Sequence, residues 1–236
     1  SFFTYSSGVV AAYNIPEKSY RPLSAAGGLI LLDSYRDKTV WKNAGCNLID
    51  IGDGVLNLEF RTKMNTMGGE VIQGVNKAIE IAENGFRGLV IANEAQNFSA
   101  GANLAMIFMM ATEQEYDEID MAIRVFQQMN MRVRYSSIPV VVAPHGMSLG
   151  GGCEMTLHAD KVVAAAETYT GLVEFGVGLI PGGGGTKEFA LRASDAYSEG
   201  NIDEQLLRDY FLTIAMAKVS TSGREAFGLH ILKEGR

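Results

Sequence analysis

The sequence predicts an α/β protein whose mostly parallel sheet is covered by helices. Three observations lead there. Short, continuously apolar runs such as Gly88-Leu-Val-Ile-Ala92 and Ile138-Pro-Val-Val-Val-Ala143 read as strands buried on both faces, as helices packed on a parallel sheet require. These runs alternate with stretches of helical periodicity, as in Gly69 to Glu83, where Val71, Ile72, Val75, Ala78, Ile79 and Ile81 recur at helical spacing. Glycine is abundant, 27 in 236 residues, and it clusters where strands end.

Taken in order, residues 1–45 read as an N-terminal extension. They mix a short run, Gly8-Val-Val-Ala-Ala-Tyr13, with Pro16 and Pro22, enough for one hairpin. A domain over 46–236 follows. It opens with strand Cys46–Asp50, the turn Gly52-Asp-Gly54 and strand Val55–Phe60, the plainest hairpin signal in the chain. Then come the helix at 69–83, the strand at 88–92, a long helical stretch at 113–135 and the strand at 138–143. Lys161-Val-Val-Ala-Ala165 is a further strand, and helical runs follow at 186–193, 203–218 and 222–229. The chain starts at Ser1 without a methionine and stops at Lys233-Glu-Gly-Arg236, so a piece of a longer polypeptide is expected.

An apolar fraction of 47% with 20% charged residues is that of an ordinary globular protein. The formal net charge of −7 argues against nucleic acid, whose phosphates need basic patches. An anionic small ligand needs only a local basic rim and stays open. Cys46 and Cys153 form neither a disulfide framework nor a metal-ligand pattern, and no metal is expected. No apolar run is long enough to span a membrane and no signal peptide is visible. A cytoplasmic location is the expectation.

Three loops place glycine or small residues at strand ends: Asn97-Phe-Ser-Ala-Gly-Ala-Asn103, Gly150-Gly-Gly-Cys-Glu154 and Ile180-Pro-Gly-Gly-Gly-Gly-Thr186, each opening a helix. Such loops bind ligands in α/β folds, and helix N-termini offer unpaired N–H groups to an anion or an oxyanion. Two facing loops can give two backbone donors to one oxygen. The 182–185 glycines are not a phosphate loop, because Gly185-Thr186-Lys187 reverses the order that motif needs. Gly146-Met-Ser148-Leu-Gly150 matches the nucleophile elbow of serine hydrolases, with Asp203 and His230 following in the right order. That reading leaves Glu154 and Glu174 without a role. Glu154 lies in the first turn of a helix and Glu174 in an apolar, glycine-rich stretch, Gly171 to Pro181. A carboxylate there is costly unless paired or protonated, and two held close keep one proton between them. The result is a general acid beside a general base.

From about Cys46 to Ile231 the chain resembles the crotonase (enoyl-CoA hydratase/isomerase) family. The resemblance rests on Asn97–Asn103, on Ile138-Pro-Val-Val-Val-Ala-Pro-His-Gly-Met-Ser-Leu-Gly-Gly-Gly-Cys-Glu154, and on Val173-Glu-Phe-Gly-Val-Gly-Leu-Ile-Pro-Gly-Gly-Gly-Gly-Thr186. It implies a crotonase-like ββα superhelix. It also implies that the backbone N–H groups of Ala102 and Gly151 bind a thioester oxygen, with Glu154 and Glu174 about one water. Ala100 and its neighbours would contact coenzyme A, with Lys63 and Met64 at the start of the first long helix beside it. The implied reaction is hydration of trans-2-enoyl-CoA to 3-hydroxyacyl-CoA in fatty-acid β-oxidation. An enoyl-CoA isomerase, a thioester hydrolase or, less in keeping, a serine hydrolase using Ser148 are the alternatives. Coenzyme A enters only as part of the substrate, and no separate cofactor is implied. Many members have Asp-Ile-Lys where this chain has Asn103-Leu-Ala105, so Arg61, Lys63 or Lys187 would have to supply the basic contact. The family's C-terminal helices are missing, and residues 195–216 read as an added helical segment. The partner expected is a second copy in a trimer-type assembly, or a 3-hydroxyacyl-CoA dehydrogenase domain of the same full-length chain.

Overall fold

The computed structural model describes residues 3–6, 9–22, 30–197 and 201–233. The start of the first run at Gly8, residues 23–29 of the extension, part of the 195–216 segment and the last three residues lie outside the described residues. The extension carries a three-stranded antiparallel meander, β1 (Phe3–Ser6), β2 (Val9–Asn14) and β3 (Ser19–Pro22), rather than one hairpin. A 3₁₀ turn at Leu32–Lys38 then leads to β4 (Thr39–Lys42), which pairs with the first strand of the domain. The join is electrostatic as well: Arg36 reaches the buried Glu59, which also accepts from Asn47 and Arg61.

β5 (Cys46–Gly52) turns at Asp53-Gly54 into β6 (Val55–Phe60), antiparallel. From β6 onward the strands run parallel: β7 (Gly88–Ile91) pairs with β6 and β8 (Val140–Val142) with β7. Antiparallel strands need only a tight turn, whereas each parallel step needs a crossover. α1 (Gly69–Glu83) supplies the first crossover. Val71, Val75, Ala78, Ile79 and Ala82 form its buried stripe, and it stops at Asn84-Gly85. α2 (Leu104–Thr112) and α3 (Tyr116–Arg134) make the second. The Asn103 side chain caps α2 by accepting from Ala105 and Met106, at 3.1 and 3.4 Å. Only Met129, Asn130 and Val133 of α3 are buried.

Beyond β8 the chain forms β9 (Gly146–Leu149), α4 (Gly151–His158), β10 (Lys161–Val162) and β11 (Thr168–Gly171). Among the described residues the six-stranded sheet has the order β10-β8-β7-β6-β5-β4, while β9 and β11 form a separate parallel pair. α5 (Gly185–Asp195), α6 (Glu204–Ala215) and α7 (Glu225–Gly228) follow. One core lies between the sheet, α1, α3 and α4, with Leu48, Leu58, Ile79, Ile91 and Met155 fully covered. Each such side chain contributes about 1.5–3 kcal/mol relative to exposure. A second core joins α4 and α5 to α6 and the C-terminal residues through Leu157, Phe189, Tyr210 and Ile231. The architecture is the expected α/β one. No helix among the described residues is long and apolar enough to cross a membrane.

Candidate active site

Three chain segments lie side by side and deliver the functional groups at one end. Residues 98–101 run beside β9: Phe98 N–H donates to His145 O, Ser99 N–H to Met147 O, and Leu149 N–H to Ser99 O, all near 3 Å. β11 runs parallel on the other side, in the register Thr168↔Gly146 to Gly171↔Leu149. The continuations of the three segments are Ala102, the α4 start at Gly151, and the 3₁₀ turn that begins at Glu174. Parallel pairing therefore puts the two candidate amides and the second carboxylate together.

Gly101 lies between the first two segments with φ +84, a conformation that side chains rarely take. A methyl group on it would stand 2.7 Å from Leu149 O and 3.1 Å from Gly151 N. The Ala102 loop thus packs directly on the α4 N-terminus. The amide of Gly151 is one of the unpaired N–H groups of a first helical turn. Neither it nor the Ala102 amide meets an acceptor among the described residues. Phe126 of α3 and Met67 close round Gly151.

Glu154 sits in the first turn of α4 and is 3% exposed. Its Oε1 accepts from Gly185 N–H at 2.9 Å. Burial, and next the charge of Glu174, push its pKa up to about 7, against the pull of the Gly185, Gly183 and Gly184 amides. A methyl group on Gly183 would overlap both the Glu154 carboxylate and the Phe126 ring, so only glycine fits there. Glu174 stands at the mouth of the same helix, with Oε1 3.3 Å from where a Cβ on Gly150 would be. Burial raises its pKa too, and its Oε2 is buried without a hydrogen-bond partner. One carboxyl is cradled by glycine amides; the other has the Glu174 and Val173 amides of its own turn beside it and one oxygen left without a partner.

His158 ends α4 in an enclosed position, as a structural histidine. Its Nδ1 faces the Glu154 carbonyl at 2.6 Å and so carries the proton. Nε2 then accepts from Lys187 Nζ at 2.8 Å. Burial holds its pKa down at about 4.

Ser148 does not form a hydrolase triad. It is fully buried in β9 with its hydroxyl 3.3 Å from Thr156 Oγ1, while Asp203 caps α6 and His230 packs edge-on against Tyr210. Lys63 and Met64 belong to a 3₁₀ turn, Lys63–Asn65, and not to the first long helix, which starts at Gly69. Pairing with the 97–101 loop prevents an earlier start: Ala100 N–H donates to Met64 O at 3.1 Å and Ser99 Oγ to Asn65 O at 2.7 Å. Lys63, Met64 and Ala100 are nevertheless brought together, and both Lys63 and Met64 are exposed. Lys187 is committed to His158, and Arg61 leans on Glu59 at 3.4 Å.

Sequence reasoning missed Phe126, Gln127 and Asn130, which line or brace the site from α3. The available signal was a polar Asn130 in register with Phe126, Met129 and Val133 on an otherwise apolar stripe.

A mostly parallel sheet, a helix N-terminus facing a glycine-rich loop and two glutamates at that helix place the chain among α/β proteins of the crotonase kind. The family model described as Enoyl-CoA hydratase/isomerase matches residues 50–197, and the chain belongs to that family. A Bacillus subtilis (strain 168) protein named "Probable 3-hydroxyacyl-CoA dehydrogenase" is 44% identical over 236 residues, covering 99% of this chain. The chain spans only 29% of the length of that relative. An enoyl-CoA hydratase from Polaromonas sp. JS666 superposes with a TM-score of 0.67 at 24% identity, over 79% of this chain and 68% of that one. One from Thermoplasma volcanium GSS1 also gives 0.67, at 21% identity over 81% and 71%. These structural likenesses establish the crotonase fold.

Proposed function

We propose that this chain hydrates trans-2-enoyl-CoA thioesters to 3-hydroxyacyl-CoA. The observation that carries the reading is the contrast between the buried Glu154 and the half-buried Glu174 beside two free amides. Glu154, cradled by amide donors, is favoured as the carboxylate; Glu174, with a bare oxygen in an apolar setting, is favoured as the acid. Water held between them attacks C3 of the substrate while Glu154 takes its proton. The C2–C3 electron pair moves toward the thioester, whose oxygen gathers negative charge as an enolate. Ala102 and Gly151 N–H groups hold that oxygen, each such donor typically supplying about 2.7–4 kcal/mol in the transition state. Glu174 delivers a proton to C2, and solvent restores the starting protonation states. An isomerisation would need only one carboxyl to shuttle a proton, so the presence of two supports hydration.

The dehydrogenase named for the B. subtilis relative supports a further reading of the longer chain. A 3-hydroxyacyl-CoA made at this site is the substrate such a domain would oxidise, and fatty-acid β-oxidation in the cytoplasm is the setting proposed. Coenzyme A would lie along Lys63, Met64 and Ala100.

Crotonyl-CoA tests the reading, because hydration abolishes its conjugated-thioester absorbance. The expected result is loss of that absorbance on adding protein; an absorbance that stays unchanged would overturn the hydratase reading. Gly101→Ala should cut kcat by about 10²–10³-fold, the usual cost of one misplaced oxyanion donor. A methyl group there pushes the Ala102 loop from Gly151, and Gly101→Ala turnover at the wild-type rate would remove both amides from the mechanism.

A further inference from the structure

The turn that cradles Glu154 is itself held from behind. Gln127 Nε2 donates to Gly182 O at 2.6 Å, and Asn130 Nδ2 donates to Gly183 O at 2.9 Å. Both residues lie on α3, one turn apart, across the glycine run from Glu154. A trans peptide points its carbonyl and the next N–H in opposite directions. No cis peptide occurs among the described residues. Drawing the Gly182 and Gly183 carbonyls toward α3 therefore turns the Gly183 and Gly184 N–H groups the other way, to the side where Glu154 lies. Gly185, next in line, is the N–H that bonds its Oε1.

Asn130 is fully buried, yet its Oδ1 has no hydrogen-bond partner. An orphan acceptor in a core is costly, and a leucine of similar size would fill the space without it. The Gly183 carbonyl fixes which way the amide faces, since the opposite rotamer would set two acceptors against each other. The amide is thus spent wholly on one carbonyl of the cradle.

We propose that Asn130, assisted by Gln127, is the positioning residue that aims the Gly183–Gly185 amides at the Glu154 carboxylate. The inference rests on the reading of Glu154 as the base of a hydration site. The charge acting on Glu154 is that of Glu174 after β11; Cys153 on α4 lies near both and near Arg192 of α5, while His158, which bonds the Glu154 carbonyl, faces Lys187 and Glu188 of α5 and Arg134 of α3. His158 stays neutral well below the window in which Glu154 titrates. None of these groups is removed by the variants below.

The test compares Asn130→Leu and Gln127→Leu with wild type in the kcat–pH profile for crotonyl-CoA. Hydrogen bonds to a charged carboxylate lower its pKa, so losing them should raise the acid-limb midpoint by about half to one pH unit. In Asn130→Leu, kcat at pH 7 should fall by about 10–100-fold, a positioning effect, with KM kept within about twofold. Gln127→Leu, whose side chain is exposed, should move the midpoint the same way by less. A carbon-13 NMR titration of the Glu154 carboxyl reads the same shift without turnover. An unmoved midpoint in folded variants, even with kcat lowered, would overturn the proposal and leave Asn130 a packing residue. Should Asn130→Leu fail to fold, Gln127→Leu decides. Absence of wild-type turnover would sink the hydratase reading, and the NMR titration would still judge the cradle.

Discussion

Glu154→Gln should slow hydration of crotonyl-CoA by about 10²–10⁴-fold, the usual contribution of a positioned general base. KM should change little, because the carboxylate acts on water and not on coenzyme A. The wild-type kcat should rise with pH through about 7, where the buried Glu154 gives up its proton. The same substitution should have an opposite effect on stability. The folded state raises the Glu154 pKa from 4.5 to about 7, so it binds this proton more tightly than the unfolded chain. The stabilisation this brings is complete below the unfolded value and disappears as pH rises through the folded one. Up to about 3 kcal/mol of stability is therefore lost between pH 4.5 and 7, by the linkage of pKa to folding. Glu154→Gln removes that dependence and should be more stable than wild type at pH 8 in a urea titration. A variant that keeps its rate and its pH-dependent stability would show that Glu154 neither reacts nor carries a displaced proton.

The balance of activity against stability explains which parts of the site could be read from the residues alone. Glu154 and Glu174 stood out because charged groups in glycine-rich, apolar sequence contradict ordinary burial rules. Ala102 and Gly151 were legible only through the resemblance, since backbone amides leave no side-chain signature. β7 and β8 were clear because strands buried on both faces are apolar throughout, β6 because a Gly-Asp-Gly turn precedes it, and α1 because its buried stripe recurs with helical period. β9 and β11 were missed. Gly146-Met-Ser-Leu149 and Thr168-Tyr-Thr-Gly171 are short and interrupted by glycine and hydroxyl residues, held by ladder bonds and by buried threonine hydroxyls: Thr170 Oγ1 donates to Ser148 O at 2.9 Å. The same ladder buries Ser148, so the elbow-like match was a strand. The Asn130 brace was hidden for a different reason. Its partner is a carbonyl 53 residues away, and only the fold joins them.

Glu188→Ala should cost about 3–5 kcal/mol of folding stability at pH 7, the range for breaking a buried ion pair by removing one member. Glu188 is 1% exposed and holds Arg134 Nη1 at 2.6 Å and Arg192 Nε at 3.2 Å, with Lys187 at 3.6 Å. Burial pushes its pKa up, but the Arg134 hydrogen bond and the two guanidinium charges outweigh this and hold it below the usual carboxylate range. Arg192 is 4% exposed and also donates to His230 O and Ile231 O, at 2.7 and 3.0 Å, tying α5 to the C-terminal residues. With Glu188 gone, a buried guanidinium keeps its carbonyl partners and loses its counter-charge. Because the folded pKa is depressed, the pair's contribution is present above 4.5 and fades as pH falls through the folded value. The gap between wild type and Glu188→Ala in urea midpoints should therefore narrow below pH 4.5. Gln at the same position keeps an acceptor for Arg134 and should lose less. Since α5 begins with the Gly185 amide that binds Glu154, the variant should also lose catalytic rate before it unfolds. A loss under about 1 kcal/mol would place Glu188 among pairs whose attraction only cancels the cost of their burial.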